Sequence, residues 1–418
     1  MTQQKRIGLV LSGGGIRAMA FHAGVLRHMA EQGELEQVTH LSTVSGGSLV
    51  VGLIMQLAGG KWPSSEDYLA NVAPRLSFLL TRHRQPLSYA FRCLIVGDLP
   101  GATASLRQTF SLQDVIFATG FFLLSRPWAW GERLHSLARA YRHCWGVTTT
   151  LGELAPVPEW TINGTSAEYG VRFRFKHNLM GDYKVGYALC SHIPLAEAMA
   201  VSSAVPGIFG PYRLPTPQGE WFEWSPSLAQ EIHAGCAKPK LLEFDWLDLY
   251  DGGVYDNLGL EPFFDCGTQR LKQDLAISHL VVSDAGKPLG PRHLGNRMRS
   301  AMRVYDIASN QSRALRVRAL SNYLQGGVNR GSYFMIGTDP YALLKQYRPE
   351  ASQEGLTLSA EDRHAAADYP THLSRMPAED FRRVEQHGYE TALANELAFG
   401  LQQQENTGPK VSSSLLDY

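Results

Sequence analysis

The first sixty residues alternate short apolar runs with stretches of helical periodicity. Residues 6–11 form an apolar run typical of a buried parallel strand. Apolar residues in 16–32 recur every three or four positions, which predicts a helix that ends at Gly33. Residues 38–44 predict a second strand, and 48–57 a second buried helix. This strand–helix alternation indicates an α/β fold with a parallel sheet.

The rest of the chain continues this pattern after one interruption. Residues 61–155 are rich in Arg and aromatic residues, and we interpret them as a helical insertion. Beyond it, strands are predicted at 160–163, 171–175, 247–250 and 280–284, and helices at 194–204, 292–322 and 360–402. We expect one domain over 1–402 that contains the insertion, followed by a polar, disordered tail at 403–418.

Charge and cysteine content narrow the functional classes. The 39 Lys and Arg residues balance 39 Asp and Glu residues, which argues against nucleic acid as a partner. Five scattered Cys residues and no short ligand spacing predict neither a disulfide scaffold nor a metal site, and no cofactor is expected. No run of 18 apolar residues occurs, so we expect a cytoplasmic protein, either soluble or peripheral at the inner face of a membrane.

The first candidate site is the loop Gly13-Gly14-Gly15, between the first strand and the first helix. Glycines there let several backbone N–H groups converge at a helix N-terminus, which suits a phosphate or a transient oxyanion. A dinucleotide site would need an acidic residue near the end of the next strand, and 38–44 contains none. A purely structural tight turn remains an alternative.

The second candidate is Ser45, which lies between a predicted strand and a predicted helix and is followed by Gly46 and Gly47. This arrangement resembles a nucleophile elbow, in which a sharp turn projects the serine hydroxyl out of the sheet. Ser48 is a rival, although it would lie inside the helix. Ser45 could also serve only as a helix cap.

The third candidate is Asp251, which ends a predicted strand and precedes Gly252 and Gly253. A carboxylate at a strand end can face the crevice where α/β sheets bind ligands. An ordinary turn aspartate is the alternative. Together with the glycine loop and Ser45, Asp251 would complete a set of oxyanion hole, nucleophile and base.

With these motifs in view, the chain resembles the patatin-like phospholipases. The family's G-G-G-x-[Arg/Lys]-G loop is matched from Gly13 to Arg17, with Ala18 in the last place. Its G-x-S-x-G elbow is matched around Ser45, with Thr43 in place of the first glycine, and its D-G-[Gly/Ala] motif is matched by Asp251–Gly253. These ordered motifs make the resemblance specific over residues 7–260, and the stretch to about 400 is also similar to long bacterial members.

A fourth motif of the family supports the same assignment. It is a block of small residues of the type A-x-x-A-S-S-A-x-P-x-x-F-x-P, represented here by Ala198, Ser202-Ser203-Ala204, Pro206, Phe209 and Pro211. The resemblance implies a three-layer α/β/α fold with a mostly parallel central sheet, the helical insertion and C-terminal helices.

The resemblance also implies a mechanism. Ser45 would attack an ester carbonyl, and Asp251 would act as the base in a Ser–Asp dyad without histidine. The N–H groups of Gly13, Gly14 and Gly15 would hold the oxyanion, and Arg17 would support that loop or the charged end of the substrate. Gly47, Gly252 and Gly253 would serve as supporting residues.

Histidine offers an alternative to this dyad. His22 and His40 lie near the motifs in sequence, and a Ser–His–Asp triad would need one of them. His22 falls within the first predicted helix and His40 within the second predicted strand, so we expect both to pack.

Three functions follow from these readings. The favoured one is a lipid acyl hydrolase of phospholipase A or lysophospholipase type, whose partner is a phospholipid or another acyl ester. The second is a serine esterase or acyltransferase on soluble acyl esters, and the third is a catalytically silent phosphate- or nucleotide-binding protein. Residues 115–130 could form a lipid-contacting lid with transient membrane contact, or they could pack on the core. No sequence feature indicates an oligomeric state.

Overall fold

The fold is a mixed β-sheet covered by helices on both faces. A computed structural model describes residues 5–82, 86, 88–90, 130–206, 210–287, 289–291, 297–327, 329–350 and 355–400. Within that part of the chain, no helix combines the length and the apolar character needed to cross a bilayer.

The described strands are short, and most belong to one sheet. They are β1 (Ile7–Leu11), β2 (Val38–Val44), β3 (Glu159–Ser166), β4 (Val171–Phe175), β5 (Leu179–Asp182), β6 (Gly186–Leu189), β7 (Tyr212–Pro215), β8 (Trp246–Asp251), β9 (Phe264–Asp265), β10 (Arg270–Leu271), β11 (His279–Asp284) and β12 (Gly331–Met335).

The described helices vary from single turns to eight turns. They are α1 (Gly15–Glu31), α2 (Gly46–Leu57), α3 (Ser65–Asp67), α4 (Ala73–Thr81), α5 (Trp130–Trp145), α6 (Leu195–Ser202), α7 (Leu228–His233), α8 (Gly253–Asp256), α9 (Arg297–Gln325), α10 (Pro340–Tyr347), α11 (Ala360–Asp368) and α12 (Ala378–Asn395).

The sheet has a parallel half and an antiparallel half. Its order is β12-β11-β1-β2-β3-β4-β5-β6, and β8 pairs with both β3 and β7. Each of the strands β12, β11, β1 and β2 is parallel to the strand that follows it in this order. Strands β4 to β8 pair antiparallel. All the predicted site motifs lie where the two halves meet or on the parallel half.

Both faces of the sheet are buried, which defines three layers. In β1, Leu9 and Leu11 face the larger core, which includes residues of α1, α2, α5, α6 and α12. Val10 points to the opposite face and joins a second core with Val282 of β11 and Leu320 of α9. Because neighbouring strand residues point to opposite faces, this division places helices on each side of the sheet.

The predicted fold class is confirmed, and most of the predicted elements are present. The helix predicted at 48–57 begins two residues earlier, directly after Ser45. The helical region predicted at 360–402 is divided into α11 and α12, because Pro370 and Pro377 interrupt it. The domain limits remain a prediction, and the predicted tail at 403–418 lies outside the described residues.

Candidate active site

Strand β3 brings Ser45 and Asp251 together from distant parts of the chain. On one edge of β3, β2 runs alongside it until Val44 lies opposite Asn163. From there β8 pairs with β3 in the opposite direction, and Asp251 lies opposite Gly164. Two strands therefore approach end to end along one edge of β3. The residue after β2 and the last residue of β8 meet at this point.

Ser45 adopts the strained conformation expected of a nucleophile elbow. Its φ and ψ angles are 49° and −118°, in a region that side-chain-bearing residues rarely occupy. The backbone N–H of Ser45 donates a hydrogen bond of 3.0 Å to Ser202 Oγ. The sharp turn directs the Ser45 side chain towards Asp251 rather than along β2.

The glycines after Ser45 are required by close backbone contacts. A Cβ on Gly46 would lie 2.4 Å from the carbonyl oxygen of Gly15. A Cβ on Gly47 would lie 2.4 Å from the carbonyl oxygen of Leu11. Since neither position can accept a side chain, the elbow can press directly against the glycine loop. The two motifs thus form one compact unit.

A chain of hydroxyl groups supports the elbow from below. The indole of Trp160 donates to Thr43 Oγ1 at 2.9 Å, and Thr43 is 2.8 Å from Ser48 Oγ. Ser48 Oγ is 2.8 Å from Ser202 Oγ, which donates to the carbonyl oxygen of Asn163 at 2.7 Å. Because the indole can only donate and the carbonyl can only accept, every hydroxyl proton points the same way along the chain. The Ser48 hydroxyl makes its hydrogen bonds to Thr43 and Ser202 within this network, so it does not face Asp251.

Asp251 is a buried carboxyl group with a strongly shifted pKa. Burial raises the pKa of Asp251 to about 7, although a Gly253 N–H at 2.7 Å and the Ser45 hydroxyl both favour the ionised form. The glycine after Asp251 packs against the backbone of β3, since a Cβ on Gly252 would lie 2.5 Å from the carbonyl oxygen of Asn163. The Ser45 hydroxyl therefore lies next to a carboxyl group that is poised between its two protonation states near neutral pH.

The glycine loop offers two unpaired N–H groups. The N–H of Gly13 donates to the carbonyl of Asn257 at 2.9 Å, and the N–H of Ile16 donates to the carbonyl of His372 at 2.7 Å. Between them, the N–H groups of Gly14 and Gly15 make no hydrogen bond to any residue that the structure describes. Their φ values of 144° and 57° explain why glycine occupies both positions.

Arg17 holds the loop from behind. Its side chain is 8% exposed and donates to the carbonyl oxygens of Ala285 at 2.8 Å and Tyr369 at 3.1 Å. Burial lowers the pKa of Arg17 to about 10, and the guanidinium remains charged at neutral pH. Of the two roles expected for Arg17, these contacts favour support of the loop.

The hydrogen bonds of His22 and His40 go to residues other than Ser45 and Asp251. His22 Nε2 donates to the Ser12 carbonyl at 3.0 Å, so Nδ1 accepts from the Ser283 hydroxyl at 2.7 Å. Burial lowers the pKa of His22 to about 4 and keeps the ring neutral. His40 is 2.9 Å from Thr39 Oγ1, near the start of β2. Both rings therefore pack, as the sequence predicts.

Some residues at the site could not be predicted from the sequence motifs. Asn257 and His372 contribute backbone carbonyls, for which no residue type is diagnostic. Helix α5 contributes Tyr141, whose hydroxyl is 3.1 Å from Ser203 Oγ, and burial raises the pKa of this tyrosine. The possible lid at 115–130 lies almost entirely among undescribed residues, as does Phe209 of the small-residue block.

Comparison with known proteins gives the chain its family. A family model described as patatin-like phospholipase matches residues 9–264. Among solved structures, human GIVD cytosolic phospholipase A2 is 13% identical with a TM-score of 0.49, covering 96% of this chain and 62% of that one. VipD from Legionella pneumophila is 15% identical with a TM-score of 0.33, covering 94% of this chain and 66% of its own.

These two structures are longer than this chain, which spans less than two thirds of each. No curated protein matches its sequence. The family model, by contrast, covers more than half of the chain and includes the glycine loop, Ser45, the small-residue block and Asp251. This chain therefore belongs to the patatin-like phospholipase family.

Proposed function

We propose that this protein is a lipid acyl hydrolase that cleaves carboxylic esters with a Ser45–Asp251 dyad. One observation carries the proposal. The Ser45 hydroxyl lies next to the buried Asp251 carboxyl group and favours its ionised form, and the neighbouring N–H groups of Gly14 and Gly15 have no partner among the described residues. Nucleophile, base and oxyanion donors thus lie at one point, as acyl transfer requires.

In the first half of the reaction, Ser45 Oγ attacks the acyl carbonyl carbon and Asp251 accepts the hydroxyl proton. The bond to the alcohol then breaks, and the leaving alcohol takes that proton from Asp251. In the second half, water attacks the acyl-enzyme while Asp251 accepts a proton from it. The bond from Ser45 to the acyl carbon breaks, the proton returns to Ser45, and a free fatty acid leaves.

The environment of Asp251 suits the role of base. A carboxylate in water, with a pKa of about 4, accepts a proton from serine poorly. At a pKa of about 7, Asp251 remains substantially ionised at neutral pH and binds the proton much more readily. Burial supplies this shift, and it does so without a histidine.

Only two of the three glycines expected from the sequence are assigned as oxyanion donors. Gly13 donates to Asn257 and Ile16 to His372, so the proposal assigns the oxyanion to Gly14 and Gly15. Two adjacent donors between two carbonyl oxygens suit a single oxyanion oxygen. A phosphate has three or more oxygens to satisfy and would favour more donors than these two. This disfavours the phosphate- or nucleotide-binding alternative.

Release of free fatty acid from mixed phospholipid vesicles tests the proposal. Wild type should release fatty acid, and Ser45→Ala should reduce the rate by about 10³-fold or more, since the nucleophile is lost. Ser48→Ala is the matched control, because it removes a buried hydroxyl three positions from the elbow serine. It should lower the rate by no more than about tenfold, as expected for a hydroxyl that supports the elbow but does not react.

A serine-directed fluorophosphonate separates the remaining outcomes. Labelling of Ser45 without release from vesicles would favour the esterase or acyltransferase acting on soluble acyl esters. Absence of both labelling and release would favour the silent binding protein. Equal release by wild type and Ser45→Ala would contradict the assignment of Ser45.

A further inference from the structure

Five apolar side chains are exposed on one part of the antiparallel half of the sheet. We call them the aromatic rim: Tyr183, Trp224, Leu241, Phe244 and Trp246. Their exposed fractions range from 40% for Phe244 to 85% for Leu241. Large exposed apolar side chains are ordinary when scattered, but a group of them on adjoining segments marks an interaction surface.

Strand direction places this rim beyond the C-terminal end of β3, the end towards which β2 leads to Ser45. Strand β8 runs antiparallel to β3, and Asp251 at its end lies opposite Gly164. Trp246 begins β8, five residues before Asp251. It therefore lies about 17 Å from Asp251, further along the direction in which β2 runs. The segment joining β7 to β8 therefore projects past the edge where the dyad lies.

The neighbouring hairpin projects in the same direction. Strand β5 runs parallel to β3, because both pair antiparallel with β4. Tyr183 directly follows β5 and thus lies at the same edge. Tyr169, in the turn after β3, contacts Phe244 with ring centroids 5.9 Å apart. The turn after β3, the turn after β5 and the connection from β7 to β8 therefore all project at this edge.

Each exposed Trp or Tyr of the rim has a cation against its ring. The guanidinium of Arg213 lies 4.7 Å from the ring centroid of Trp246, and that of Arg174 lies 5.4 Å from Trp224. Lys184 Nζ lies 5.5 Å from the ring of Tyr183. Aromatic rings with adjacent Arg or Lys are typical of the lipid–water boundary, where rings enter the acyl–headgroup region and cations meet phosphate oxygens.

The charge of the region indicates which lipid surface it fits. Residues 216–248 contain six acidic residues and only two lysines. A strongly anionic surface would repel this segment. A zwitterionic surface offers phosphates to Arg174 and Lys184 without that repulsion, whereas Arg213 already pairs with Asp248 at 3.2 Å.

We propose that the aromatic rim docks the protein onto the headgroup region of zwitterionic phospholipid bilayers and presents the dyad edge to the lipid. The inference rests on the proposed function, because it assigns the ester substrate to a bilayer. It places the membrane contact on described residues outside the possible lid at 115–130. Insertion of Trp224, Trp246 and Leu241 provides the apolar contribution to binding.

Vesicle binding by a protein that cannot consume the lipid tests the docking directly. Ser45→Ala protein should co-sediment with phosphatidylcholine vesicles, and high salt should leave most of the binding intact. Adding Trp224→Ala and Trp246→Ala should weaken the partition coefficient by roughly tenfold or more. Adding Val304→Ala and Leu315→Ala instead is the matched control, since both residues are exposed on α9, at 66% and 60%. That control should bind like the parent.

Three results would overturn the docking proposal. These are no binding of the parent to phosphatidylcholine vesicles, equal binding after the two Trp substitutions, and binding that occurs only on anionic vesicles. Self-association that the Trp substitutions abolish would assign the rim to a second copy of the chain instead. An assay with a soluble short-chain ester and protein with intact Ser45 has no lipid surface in it. Its rate therefore tests the proposed dyad separately from docking. Thermal melting of each variant establishes that it is folded.

Discussion

Asp251 is the residue whose environment governs the proposed chemistry. Burial raises the pKa of Asp251 to about 7, and only the ionised carboxylate can accept the proton of Ser45. We therefore expect kcat/KM for a soluble short-chain ester to rise tenfold per pH unit below about 7 and to level off above it. A pH–rate profile measures this directly. An acid limb centred near 4 would show that the carboxyl group titrates normally in the free enzyme.

The same pKa shift makes a prediction about stability. The unfolded chain binds the Asp251 proton with a pKa of about 4, and the folded protein with a pKa of about 7. The protonated form is favoured by folding, so this contribution is complete below pH 4 and is lost as the pH rises through 7. Asp251→Asn should therefore raise the melting temperature relative to wild type at pH 8, but much less at pH 5. An equal effect at both pH values would contradict the shifted pKa.

Ser202 is a positioning residue in this site. Its hydroxyl oxygen accepts the Ser45 N–H at 3.0 Å, and its proton goes to the carbonyl of Asn163. Ser202→Ala should leave that N–H without its partner, loosen the elbow and lower kcat by about tenfold with little change in KM. The measurement is steady-state kinetics on a soluble ester, together with the rate of fluorophosphonate labelling.

Ser203 provides the matched control for Ser202. It is equally buried and adjacent, and its hydroxyl donates to the carbonyl of Met199 at 2.9 Å rather than contacting the elbow. Ser203→Ala should reduce stability without the same loss of labelling rate. Equal labelling rates for the two variants would show that Ser202 acts only through packing.

At the scale of elements, two helices cross at glycines directly behind the glycine loop. A Cβ on Gly388 of α12 would lie 2.1 Å from the Phe21 carbonyl of α1, and a Cβ on Gly24 would lie 1.8 Å from the Glu385 carbonyl of α12. Arg27 and Glu385 form an ion pair at 3.1 Å beside this crossing. The backbone of each helix thus contacts that of the other, and α1 carries the loop at its N-terminus.

Gly388→Ala should force α1 and α12 apart. We expect a loss of about 3 kcal/mol or more in the free energy of unfolding, because the clash is with backbone and cannot be relieved by a side-chain rotation. Gly290→Ala is the control, since a Cβ there meets no atom of the described residues within 4 Å. It should change the free energy of unfolding by less than about 0.5 kcal/mol. Denaturant unfolding compares the two, and similar costs would contradict the crossing as described.

At the scale of the whole molecule, the part of the chain after the family match completes the sheet. Strand β11 pairs with β1 along its full length, from Ile7–His279 to Leu11–Ser283. The carbonyls of Ala285 and His372, which hold Arg17 and Ile16, also come from this part. The matched region alone would therefore lack a neighbour of its central strand and two anchors of its glycine loop.

We expect residues 1–264 expressed alone to be insoluble or to unfold without a cooperative transition. An exposed edge on β1 and an uncovered second core would favour aggregation. Residues 1–400, which retain every described contact, are the control and should melt cooperatively. Soluble expression and thermal melting by circular dichroism measure both. A folded, labelling-competent 1–264 fragment would show that the later strands are dispensable.

The local parts of this architecture could be predicted from the sequence because they are encoded locally. Glycines after an apolar run, a serine at a strand-to-helix turn and an aspartate at a strand end each leave a short pattern. Strands of four residues such as β5, β6 and β7 were not predicted, because so few residues do not establish a period. The break between α11 and α12 was also not predicted, although it supplies the His372 carbonyl.

By itself, the sequence determined the α/β alternation and the four motifs, since each depends on residues close together in the chain, and the order of the motifs determined the family. Tertiary structure decided that Ser45 and Asp251 meet, because β2 and β8 end against each other on β3. It also decided which N–H groups of the loop remain unpaired, since the carbonyls that occupy Gly13 and Ile16 come from distant segments. The shifted pKa of Asp251 belongs to this second group, because burial is a property of the packed molecule and not of any motif.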